Sequence, residues 1–193
     1  VDSSPAAASF QDQIQTSLEH VAITPGTVAA RLDLHIGVIT ADLGDGNTDD
    51  RIAIPGSCHG MGDGALMRRS GLVDGAFMTE HTTQAKDFIN YRGDFTDAVR
   101  SLADVGTAGC ARTQPLEAIR RALRDPHNAG FVRDDAVLAI VILAAQDDES
   151  PADVAEYRAF LRGLKTDEDD VMVAVAAPDG TSCGTVDSPR LRA

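Results

Sequence analysis

Apolar residues recur along this chain with two different periods. Phe10, Ile14, Leu18 and Val21 lie at i, i+4, i+8 and i+11, which is one face of an amphipathic helix. The helix opens after Ser4-Pro5, a capping residue followed by proline at the first helical position. From Leu32 to Thr40 the period drops to two, with Leu34, Ile36 and Val38 alternating and Ile39 adding an apolar residue on the other face. That is the pattern of a strand near the centre of a sheet.

Further on, Phe95, Val99 and Leu102 predict a helix over Asp94 to Val105, and Leu116, Ile119 and Leu123 predict another over Gln114 to Leu123. The unbroken run Ala136 to Ala144 predicts a strand buried on both faces. Ser150-Pro151 is expected to cap a helix carrying Val154, Tyr157, Leu161 and Leu164, and Val171 to Ala176 reads as the next strand. Between the first strand and the second helix, residues 41–75 form a Gly- and Asp-rich insertion. Arg51 to Ile54 and Ala65 to Arg69 are expected to form a short strand and a turn of helix within it. A loop of that length in a compact domain is functional or tied down.

Helices alternating with apolar strands predict an α/β fold: a doubly wound, mostly parallel sheet with helices on both faces. No internal repeat or linker interrupts the pattern, so residues 1–193 are expected to form one domain, and that length suffices for a full core.

Composition narrows the field. Aromatic residues are 4% of the chain and Trp is absent, so Val, Ile, Leu and Ala must build the core. A net charge of −13 repels phosphate backbones and argues against a nucleic-acid partner. It leaves cations and basic proteins as partners, beside the plain reading of a solvated acidic surface; the run Asp167 to Asp170 is read the same way. No stretch has the ~20 apolar residues of a membrane helix. Cys58, Cys110 and Cys183 make an odd set, so at least one is free, bonded to another chain, or none is bonded within the chain. Their spacing gives no zinc site.

In a doubly wound sheet, ligands gather beyond the carboxyl ends of the strands. There the chain carries Val1-Asp2-Ser3-Ser4-Pro5-Ala6, then a helix. This resembles the D-x-S-x-S turn of von Willebrand factor type A (vWA) domains, in which a carboxylate and two hydroxyls meet a hard cation. Asp2 and Ser4 match the motif, and Ala6 replaces its second serine. Gly106-Thr107-Ala108-Gly109-Cys110 resembles the family's second loop, with Thr107 as its threonine and Thr113 as a lesser candidate. At the third loop, Ala145 stands where the family has Asp, with Asp147 and Asp148 two and three residues further on.

The resemblance spans nearly the whole chain. It is nearest to vWA domains of predicted bacterial extracytoplasmic proteins and lipoproteins, through Leu34 to Thr40, Val105 to Leu123, Asn128 to Phe131 and Tyr157 to Lys165. It implies a non-enzymatic, protein-binding module with a degenerate metal site of Asp2, Ser4 and Thr107, with Asp147 as a further candidate, holding Mg²⁺ that an acidic group of the partner completes. It also implies a Cys58–Cys110 disulfide with Cys183 free, and an extracytoplasmic location. Against the family pattern both ends read as truncated: only Val1 remains of the first strand, and a final strand and helix are missing after Pro189-Arg190-Leu191. A metal-free scaffold or assembly component, completed by neighbours in an oligomer, is the alternative within this fold.

Other motifs carry weaker readings. Asp45, Asn47 and Asp49 have the spacing of a calcium loop, but Asp50 and Gly56 occupy its Gly and Glu positions, so an acidic turn is the simpler account. Gly56-Ser57-Cys58-His59-Gly60 outlines a nucleophile elbow, which would make the chain a thiol hydrolase. Only His127 follows His81 to serve it as a base. His20, His35 and His81 lack spaced partners, and His35 is expected to be a satisfied sheet residue.

Overall fold

The structure is a computed structural model that describes residues 1–22, 33–44, 64–82, 87–178 and 187–193. A short 3₁₀ turn at Pro5–Ala7 leads into helix α1 (Ala8–Ala22), with proline at the expected opening position. Ile14 on its inner face is buried, while Phe10 is half-buried. Strand β1 (Asp33–Ile36) pairs antiparallel with β2 (Met78–Thr82), which pairs antiparallel with β3 (Asp87–Ile89). Helix α2 (Phe95–Ala103) follows. Asp94 caps it by accepting the Asp97 N–H at 2.8 Å, a contact worth ~1 kcal/mol. Helix α3 (Pro115–Ala122), strand β4 (Leu138–Leu143), helix α4 (Val154–Arg162), strand β5 (Val171–Ala176) and the short helix α5 (Pro189–Arg192) complete the order.

The chain is thus α/β, with a three-stranded antiparallel sheet β1-β2-β3 and a two-stranded parallel sheet β4-β5. Each has its own apolar cluster. Met78, Val73, Ala98 and Leu102 lie buried between the antiparallel sheet and α2, with Ile36, Val38 and Val99 packed around them. Leu116, Ile119, Ile142, Tyr157, Leu161 and Leu191 join α3, β4, α4 and α5. Ile39, just beyond β1, packs against this second cluster and links the two halves.

The helices at 94–105 and 114–123 and the strand at 171–176 lie where the pattern places them. Three expectations need correction. The run 136–144 is not buried on both faces: Ala139 is exposed, Val141 is 60% exposed, and Met172 beside Ala139 in register is 61% exposed. Only the face of Leu138 and Ile142 is covered, because α3 and α4 pack there. Ser150 does not cap α4. Asp153 stands at its N-cap, while the Ser150 hydroxyl accepts the Glu117 N–H and donates to Asp148. Residues 65–69 form a turn rather than helix, and Arg51 to Ile54 lie outside the described residues. The hairpin β2-β3 has little pattern to betray it. Phe88 and Ile89 are exposed, and Met78 is the buried member of its apolar set.

His35 is satisfied as expected. Its Nδ1 lies 3.1 Å from the Phe131 carbonyl, and its ring packs against Phe77. The acidic run ends in an exposed 3₁₀ turn in which the Asp167 carboxylate accepts the Asp169 N–H.

Candidate functional site

Val1 and Asp2 lie between the two sheets. The Val1 amino group donates to the Ile39 carbonyl at 2.8 Å, and the Val1 carbonyl accepts the Ala41 N–H at 3.1 Å. This is a parallel ladder. On its other side, the Asp2 N–H donates to the Leu143 carbonyl at 2.8 Å. The carboxyl ends of three extended segments therefore meet here, and the loops that leave them surround Asp2.

Asp2 and Ser4 are brought together and fully buried. One Asp2 carboxylate oxygen accepts the Ser4 N–H at 2.8 Å, and the other accepts the Ala145 N–H at 2.9 Å. The first contact closes the turn into α1, and the second ties that turn to the loop after β4. The Ser4 hydroxyl accepts from the Gln146 side-chain amide at 3.1 Å. Gln11 of α1 donates to the carbonyls of Asp2 and Gly106, and the Gly109 N–H donates to the Ser3 carbonyl at 2.8 Å. The second loop is thereby pinned to the same point.

A second carboxylate repeats the device. Asp42 accepts the Gly44 N–H with one oxygen and the Cys110 N–H with the other. Cys110 is buried and disulfide-bonded; Cys58 and Cys183 both lie outside the described residues. Asp147 turns toward α5, where it accepts the N–H groups of Arg190 and Leu191. The buried Asp148 accepts the Leu116 N–H and two N–H groups of the Arg190 guanidinium, which also donates to the carbonyls of Ser150 and Ala152.

Thr107 is exposed and hydrogen-bonds neither Asp2 nor Ser4. Thr113, the lesser candidate, is buried and donates to the Asp147 carbonyl. Among the described residues, the oxygen donors around Asp2 do not fit a hard divalent cation. Such an ion draws on several oxygens held toward one point, whereas here both Asp2 oxygens face backbone N–H groups, Asp147 faces α5, and Ala6 and Ala145 offer no side-chain oxygen. Among the described residues, no cluster of three His, Cys, Asp or Glu side chains is placed to hold a metal. The calcium-like residues Asp45, Asn47 and Asp49 and the elbow around Cys58 lie outside the described residues. His127, the base that elbow would need, is exposed and bonded through Nδ1 to Asp125 at 2.8 Å.

Behind this face, Glu117 of α3 is buried among Arg120, Arg121 and the Tyr157 hydroxyl. Burial pushes its carboxyl up, but hydrogen bonds from Arg121 and Tyr157 and the two guanidinium charges outweigh that and hold it below the usual value of 4.5. Burial pushes the Tyr157 hydroxyl up, and the neighbouring carboxylate adds to the effect.

Motif reading did not single out Asp42, Gln11, Gln146 or Arg190. The signal was weak but present. Asp42 lies two residues past the predicted strand Leu32 to Thr40, the same offset that Gln146 has from the predicted strand Ala136 to Ala144. Arg190 could not be found from spacing, because its partner Asp148 is 42 residues away.

Comparison with known protein families, with curated proteins and with solved structures finds no match for this chain.

Proposed function

We propose that this chain is a non-enzymatic, protein-binding module of vWA type in which the family's metal position has become a hydrogen-bonded clasp. The observation that carries this reading is the Asp2 carboxylate, which spends its two oxygens on the N–H groups of Ser4 and Ala145. Ala145 stands at the position where the family pattern has an acidic ligand. A main-chain N–H reaching the same carboxylate stabilises its charge without an ion, so the three loops stay joined when no cation is bound. The doubly wound layout belongs to the same reading: a parallel ladder at Val1, flanked by the extended segment through Ile39 and Ala41 and by the end of β4 at Leu143, supports it.

Partner contacts then fall on the loops rather than on a cation. The exposed 106–108 segment and the acidic surface, at a net charge of −13, favour a partner with basic groups. A disulfide at Cys110 favours an oxidising compartment, in keeping with an extracytoplasmic module. The oxidised Cys110 also bears on the hydrolase reading, since a bond to Cys58 would leave that thiol unable to act as a nucleophile.

The test is partner retention on the immobilised chain in excess chelator and again in Mg²⁺. Equal retention supports the clasp reading. A partner released by chelator and recovered with Mg²⁺ refutes it. Turnover of ester or thioester substrates that stops on alkylation would instead make the chain an enzyme.

A further inference from the structure

The antiparallel sheet ends at β3, and among the described residues no strand pairs with its outer edge. The main chain there has a definite phase. The Asn90 N–H donates to the Thr79 carbonyl of β2. The Asn90 carbonyl accepts the Asp74 N–H at 2.8 Å, and the Arg92 N–H donates to the Leu72 carbonyl at 2.8 Å, both in the segment that leads into β2. Asn90 and Arg92 therefore spend these groups inward. Successive residues of a strand turn their main-chain groups to opposite sides, so Ile89 and Tyr91 present theirs outward.

The side chains do nothing to close this edge. Phe88 is 59% exposed and Ile89 is 47% exposed, and as neighbours in a strand they stand on opposite faces. Edge strands are commonly blunted by a charge or a proline. The stretch Phe88-Ile89-Asn90-Tyr91 has neither, in a chain whose net charge is −13.

An uncharged edge on an acidic chain fits a second copy of itself. A twofold axis at Ile89 sets the two strands antiparallel. Ile89 then faces its own counterpart and Tyr91 falls opposite position 87, so no two acidic residues oppose each other. Each outward N–H of Ile89 and Tyr91 meets a carbonyl of the other copy. The join also continues the antiparallel order of β1-β2-β3 without a break. The edge of β5 is apolar as well, with Met172 and Val173 exposed. There, however, a twofold would set an antiparallel pair beside the parallel pair β4-β5.

We infer that β3 is the contact of a homodimer, in which two copies pair antiparallel about Ile89 and share one sheet. The acidic surfaces of the two copies repel, so the dimer tightens as salt screens them. The inference rests on the β3 edge and is independent of the clasp at Asp2.

The experiment is sedimentation of the full 193-residue chain over about a hundredfold range of concentration, at low and at physiological salt. The variant Ile89→Lys is run beside it. The parent mass should rise from 20.3 kDa toward twice that value, at lower concentration when salt is added. Ile89→Lys places an edge lysine on an exposed position across from Glu80, so it should stay monomeric with an unchanged Tm. Amide exchange of the parent gives a second reading that needs no variant: on dimerisation it should slow about tenfold at Ile89 and Tyr91 and stay the same at Asn90. A single mass at every concentration would overturn the inference. So would a dimer that survives Ile89→Lys, or protection that appears in β5 instead of at Ile89.

Discussion

The Asp2 carboxylate accepts the backbone N–H of Ala145 at 2.9 Å, across 143 residues of sequence. Its other oxygen holds the Ser4 N–H, and the residue is fully buried. Replacing Asp2 by Ala leaves two N–H groups without their acceptor. The expected loss is ~3–6 kcal/mol, since hydrogen bonds to charged groups are worth ~1.5–3 kcal/mol each. Asp2→Asn keeps one acceptor and should lose about half as much. Urea unfolding of the three proteins checks the order, and an Asp2→Ala protein as stable as the parent would show that the clasp contributes nothing.

How far the sequence revealed this site depended on the range of each interaction. Asp2 and Ser4 were legible because the turn is local and its residue types are restrictive. Their use was not, because the N–H that binds Asp2 belongs to Ala145, whose side chain carries no signal. The helices at Phe95 and Pro115 showed themselves through residues that the core buries, such as Leu102 and Ile119. By contrast, the apolar run before Ala144 suggested two covered faces. Periodicity reports what a strand could bury, and cannot say that the face of Val141 stands open. The β2-β3 hairpin was missed for the opposite reason, since its exposed Phe88 and Ile89 follow no buried stripe.

The Asp148–Arg190 pair, with the carboxylate buried and the guanidinium half-buried, ties the short helix α5 to the loop after β4. Asp148 is inaccessible, so removing its partner strands a charge in the interior. Arg190→Ala is expected to cost on the order of 3 kcal/mol. The double variant Asp148→Asn, Arg190→Met should recover part of that loss, because no unpaired charge remains. A double variant less stable than Arg190→Ala would show that the carboxylate's bonds to Leu116 and Ser150 matter more than its charge.

Burial pushes the Val1 amino group down from 8.0 to about 6, while the Asp2 charge pulls the other way. Between those values the unfolded chain holds a proton that the folded chain does not. The stability of the chain beginning at Val1 should therefore rise as pH rises from 6 to 8. Below pH 6 both states are protonated and the full penalty remains; above pH 8 neither is, and the penalty is gone. Acetylating the amino group removes this contribution. Urea midpoints at pH 5.5 and 8.5 should thus differ more for the free amine than for the acetylated chain, and equal differences would place the amino group in water.

With one disulfide at Cys110, the unreduced native protein should take up at most one equivalent of iodoacetamide per chain, against three after reduction and unfolding. Peptide mass mapping then identifies the bonded pair. The vWA resemblance expects Cys58–Cys110 and a labelled Cys183. A labelled Cys58 would reverse that pairing and return the Cys58 thiol to consideration as a nucleophile.

The clasp itself is tested most directly by isothermal titration of the chelator-stripped protein with Mg²⁺, Mn²⁺ and Ca²⁺, beside Asp2→Ala. With both Asp2 oxygens committed to Ser4 and Ala145, no saturable heat is expected from either protein. Saturable binding by the parent that vanishes in Asp2→Ala would contradict the account and restore Asp2 as a metal ligand.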